Sequence, residues 1–74
     1  MIGGMRYPDL DREYVVLVSH WQDGWDVFVL DPLNGLILAT RAAHVGDVDD
    51  VANTALSERF GVPPRRFKLA VIRN

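Results

Sequence analysis

Residues 14–21, Tyr-Val-Val-Leu-Val-Ser-His-Trp, form an unbroken β-branched and aromatic run, which is the pattern of a strand. Asp23-Gly24 follows and leads into a second such run, Trp25 to Leu30. Asp-Gly between two strands favours a two-residue type I′ hairpin turn, because both central positions need positive φ. That placement predicts a register with Gln22 opposite Trp25, Trp21 opposite Asp26, Ser19 opposite Phe28, His20 opposite Val27 and Val18 opposite Val29. Side chains alternate across a strand, so the hairpin comes out apolar on both faces. One face carries Val16, Val18, Trp25, Val27 and Val29, the other Val15, Leu17, Trp21, Phe28 and Leu30.

Asp31-Pro32-Leu33-Asn34-Gly35 is dense in turn formers and ends the second strand. A third strand is predicted from Leu36 to about Ala43, before Gly46 breaks the pattern. Asp47 is placed to cap a helix, with Asp49 and Asp50 near the positive end of its dipole. Val48, Val51, Ala52, Ala55, Leu56 and Phe60 recur at helical spacing, while Asp50, Asn53, Ser57 and Glu58 fall away from that stripe. Gly61 and Pro63-Pro64 stop the helix, so it spans about 47 to 60, and Phe67 to Ile72 reads as the last strand. The expected fold class is α+β with element order β-β-β-α-β. Its mixed sheet has order 3-2-1-4 by a right-handed crossover, and one helix lies on one face. One helix covers only one side of four strands, which makes the other side a candidate interaction surface.

A chain of 74 residues has room for one domain, with residues 1–11 expected as a flexible or extended N-terminal segment in which Gly3-Gly4 marks fraying. Nearly half the residues are apolar (49%) and 24% are charged, a globular balance. So small a domain buries only about 60% of its unfolded surface, and such domains lean on disulfides, metals or self-association. Cysteine is absent, which removes disulfides and thiolate zinc sites and leaves association as the expected supplement. A homo-oligomer is therefore expected.

Net charge is −2 and the pI is near 5.5, so the chain as a whole has no electrostatic reason to approach nucleic acid or anionic membranes. No apolar run approaches the ~20 residues of a membrane span, and Met1 to Arg6 lacks the apolar core of a signal peptide. A cytoplasmic location is expected.

Catalytic constellations are not legible. The two histidines, His20 and His44, have no metal-ligand spacing, and Ser19, Ser57, Thr40 and Thr54 lack the setting of a nucleophile. Asp47, Asp49 and Asp50 resemble a hard-cation cluster, but a helix start accounts for them. No catalytic residue, metal or cofactor is expected. Arg59, Arg65, Arg66 and Lys68 make a local basic cluster that reads either as a solvated rim or as a contact for an acidic partner or RNA. Trp21 and Trp25 flank the hairpin turn, and two indoles there read either as core or as interface, with one expected on each face. The candidate partner-binding residues are Trp21, Trp25, Phe28, Arg65 and Arg66.

Taken in order, Tyr14-Val15-Val16-Leu17-Val18, Asp23-Gly24-Trp25, Asp31-Pro32-Leu33-Asn34-Gly35, Asp47-Val48-Asp49-Asp50-Val51-Ala52 and Gly61-Val62-Pro63-Pro64-Arg65-Arg66-Phe67 resemble the HicB-like antitoxins, in their short actinobacterial form. The resemblance covers about residues 12 to 73. It implies a truncated RNase H-like fold without nuclease chemistry, and a function of neutralising a small, basic, RNA-cleaving (HicA-like) toxin by direct contact. After Gly35 the chain reads Leu-Ile-Leu-Ala-Thr, without the polar residues that the family often carries there. No ribbon-helix-helix or helix-turn-helix follows the last strand, and autorepression by this chain alone is not expected. The alternative is a homodimeric structural or interaction domain, phage- or mobile-element-encoded, with no toxin partner.

Overall fold

A computed structural model describes residues 12–73. The expected N-terminal segment, 1–11, lies outside the described residues. Three strands, β1 (Glu13–Trp21), β2 (Gly24–Asp31) and β3 (Gly35–Ala42), form an antiparallel meander. A 3-10 turn (Val45–Asp47) leads into α1 (Val48–Phe60), and β4 (Lys68–Arg73) returns parallel to β1. The sheet order is β3-β2-β1-β4, as the element pattern predicts.

The hairpin register differs from the expectation. Trp21 pairs with Gly24, His20 with Trp25 and Val18 with Val27, so Gln22 and Asp23 form the turn, not Asp23 and Gly24. Gln22 takes the positive φ, 56°. Gly24 serves another purpose: a Cβ there would sit 2.8 Å from Arg41 Nη2 and 3.2 Å from the Ala42 carbonyl oxygen. The glycine thus admits the close approach of β3 and its arginine, and the tight turn moves one residue upstream. Because the partner of each β1 residue changes by two positions, the face that each side chain occupies is unaltered.

The core forms where α1 covers one side of the sheet. Tyr14, Val16, Val18, Val27 and Val29 meet Val48, Ala52 and Leu56, all buried. Fully burying a side chain such as Leu56 contributes about 1.5–3 kcal/mol. A β-bulge in the β2–β3 pairing, between Val29 and Leu30, lets the consecutive Ile37 and Leu38 both pack against this core. Tyr14, Phe60 and Phe67 join the start of β1, the end of α1 and the entry to β4, with ring centroids 5.9–6.0 Å apart.

Both helix ends bear on the sequence expectations. Asp47 stands at the N-cap, but its side chain makes no capping hydrogen bond. Its backbone is already helical (φ −94°, ψ −2°), and its N–H donates to the His44 carbonyl, so Asp47 continues a 3-10 turn where the sequence predicts a capping side chain. At the other end Gly61 is left-handed (φ 69°). Its N–H bonds to Glu58 and that of Val62 to Ser57, the paired bonds of a Schellman motif.

Asn53 and Ser57 correct a second expectation. They are 7% and 2% exposed, not on a solvated flank. The 61–67 connection passes over them: Asn53 Oδ1 accepts the Phe67 N–H at 2.6 Å and Ser57 Oγ accepts the Arg65 N–H at 3.3 Å. These polar side chains sit inside because the connection offers backbone donors that need partners.

Candidate functional site

The side of the sheet away from α1 is open among the described residues. Alternation from β1 places Glu13, Val15, Leu17, Ser19 and Trp21 on it. Pairing adds Asp26, Phe28 and Leu30 from β2, Leu36, Ala39 and Arg41 from β3, and Lys68, Ala70 and Ile72 from β4. Its apolar members are unusually exposed for their size: Leu36 61%, Trp21 58%, Ile72 52% and Leu17 37%. They come from three strands and form one surface, unlike the scattered single apolar side chains of an ordinary exterior.

Charge frames this apolar band. At the hairpin end, Arg41 Nη2 donates to the Trp21 carbonyl oxygen at 2.8 Å, and its Nε lies 3.5 Å from Asp26 Oδ1. At the opposite end, Glu13 pairs in register with Lys68. Below the sheet, Asp31 organises the β2–β3 turn. Its carboxylate accepts the Leu33 N–H at 2.8 Å, the Asn34 amide at 3.2 Å and an Arg12 guanidinium N–H at 2.6 Å. The Leu33 hydrogen bond is the main cause that holds this carboxyl below its ordinary value; partial burial opposes it, and Asn34 and Arg12 add to the lowering.

The five residues singled out from the sequence do not form one site. Trp21 and Phe28 lie on the open face. Trp25 is on the helix side, half-buried against the core and beside His20, with ring centroids 4.6 Å apart and planes tilted by 37°. One tryptophan thus stands on each face. Arg65 and Arg66 are also on the helix side, in the connection to β4. The Arg65 guanidinium lies 5.2 Å over the Phe67 ring, and Arg66 Nη1 is 3.7 Å from Asp50 Oδ1, with both of those side chains about three-quarters exposed. With Asn53, Thr54 and Pro64 they line a shallow depression beside α1. Leu36, Ala39, Ala70 and Ile72 are the apolar members of the open face that the sequence did not reveal, beside Arg41 and Lys68. Their side follows only from the bulge in β3 and the parallel register of β4.

Among the described residues no three His, Asp or Glu side chains are placed to hold a metal ion. No helix of the described residues is long and apolar enough to cross a membrane. Compared with protein-family models, curated proteins and solved structures, the chain finds no match.

Proposed function

We propose that this chain is a non-catalytic, antitoxin-like binding module that acts in the cytoplasm and masks a small, basic, RNA-cleaving toxin by direct contact. The observation that carries the reading is the open sheet face, on which Leu17, Trp21, Phe28, Leu36 and Ile72 present apolar surface with nothing over it among the described residues. A domain this small gains stability by covering such a surface with protein. Trp21 is suited to anchor the contact, since a large amphipathic ring buried at an interface contributes more than its neighbours.

The toxin as partner rests on the resemblance of the ordered motifs from Tyr14 to Phe67 to the HicB-like antitoxins. Net charge supports it, because an acidic chain attracts a basic RNA-binding protein over distance and speeds encounter.

The test is co-expression with a small, basic, RNA-cleaving toxin of the HicA-like kind. Growth arrest by that toxin alone, relieved when this chain is made alongside it, supports the reading. Arrest that persists with the chain abundant and folded contradicts it.

A further inference from the structure

The open face carries its charges in opposite pairs at diagonal corners. β1 and β4 both begin at one end, which places Glu13 beside Lys68. β2 begins at the hairpin end, which places Asp26 beside Arg41 on the far edge strand. Two acids and two bases leave the face neutral. Between the corners the apolar band runs from Leu36 and Leu30 through Phe28 and Leu17 to Trp21 and Ile72. The net charge of −2 that steers a basic partner belongs to the chain as a whole, not to this neutral face. A surface of the same make-up gains twice: apolar band meets apolar band, and each corner pair offers either sign to its counterpart.

We infer that a second copy of this chain covers the open face when no other partner is present, packed sheet to sheet about a two-fold axis. The inference rests on the reading of this face as the docking surface and names its occupant in the isolated protein. Four strands at ~4.8 Å and six to nine residues at ~3.3 Å give a face of about 400–550 Å². Two such faces remove roughly 1,000 Å² in all, the lower bound for a specific interface, which predicts a dimer that dissociates on dilution. Side chains such as Trp21 and Leu36 fill the ~10 Å between packed sheets. A toxin that docks on the same face displaces the second copy, so self-association and partner capture exclude one another.

Sedimentation velocity of the full chain tests this, from about 1 µM to on the order of 100 µM, a span of roughly 3 kcal/mol in association free energy. The expected result is a species of twice the chain's 8.3 kDa at the upper end and dissociation at the lower. Trp21→Glu and Ile72→Lys, both at half-exposed positions, should each leave only the 8.3 kDa species with an unchanged far-ultraviolet circular dichroism spectrum. A single 8.3 kDa species throughout for the unaltered chain overturns the inference, as does a dimer that survives both replacements. So does a monomer that dimerises only after residues 1–11 are removed, since the chain's own N-terminal segment would then be the occupant. The growth assay separates this outcome from the toxin reading: a protective monomer refutes the second copy alone, and a non-protective dimer refutes the toxin alone.

Discussion

The side chain of Asn53 joins α1 to the entry of β4: its Oδ1 accepts the Phe67 N–H at 2.6 Å, while its Nδ2 donates to the Asp49 carbonyl at 2.8 Å. One buried amide therefore ties the parallel return of β4 to the helix. Asn53→Ala leaves the Phe67 N–H buried without an acceptor and should cost about 1–3 kcal/mol. Ser57→Ala, which removes a longer bond to Arg65, should cost less. Urea denaturation checks both, with a lower midpoint and an unchanged slope expected for a folded variant.

The turn offers a second test. Gln22 holds a left-handed φ that costs a non-glycine residue roughly 1–2 kcal/mol. Gln22→Gly should therefore raise stability by up to about 1 kcal/mol, while Gly24→Ala should lower it by a similar amount. The second loss comes from pushing Arg41 off the Trp21 carbonyl and crowding the Ala42 carbonyl. The opposite order would restore Asp23-Gly24 as the turn. Thermal denaturation of the two variants decides it.

How far the fold was legible can be followed along these residues. Element order and sheet order come from the apolar runs, the turn formers between them and the handedness of the crossover, and the two faces of the hairpin from the alternation of side chains along a strand, which β1 and β2 obey from Tyr14 to Leu30. The turn differs from the expectation because Asp-Gly is a local signal, whereas the rigid neighbour that a Cβ at Gly24 would crowd, the Ala42 carbonyl, lies on β3, eighteen residues downstream. Asn53 and Ser57 read as solvated because helical periodicity weighs apolar side chains alone, whereas their partners are backbone N–H groups of a connection without periodicity. On the open face, Val15, Leu17, Trp21, Phe28 and Leu30 were legible from alternation. Leu36 and Ile72 were not, because a bulge and a parallel register decide their side.

Asp31 carries the pH dependence. Its folded value lies below the ordinary carboxylate range, chiefly through the Leu33 N–H. The unfolded chain therefore binds the proton more readily than the folded one, so the ionised carboxylate's stabilising contribution is present above the unfolded value of about 3.9. It is lost as pH falls through the lower folded value. Asp31→Asn should destabilise the domain at pH 7, and the gap between the two proteins should narrow as acid is added below about pH 4. Denaturant midpoints measured from pH 7 to pH 2.5 check the sign; a gap that widens in acid would assign Asp31 the opposite role.

Nuclease chemistry is not expected. The purified chain incubated with RNA and Mg²⁺ or Mn²⁺ should leave the RNA intact, the outcome expected of a module that acts by binding; two-metal hydrolysis would need a converging set of carboxylates. Cleavage that disappears on a single Asp→Ala replacement, followed by gel electrophoresis, would show otherwise.

The most direct measurement of the central claim, that the open sheet face captures a toxin, is a quantitative pull-down with the tagged chain from cells that make a small, basic, HicA-like toxin. The unaltered chain should retain that protein in a fixed ratio, and Trp21→Glu should lose it while remaining folded. A truncated tryptophan hot spot typically costs ~2 kcal/mol or more, so the loss in affinity should reach at least about thirtyfold. Equal retention by both proteins, or recovery of nothing but the chain itself, would contradict the claim.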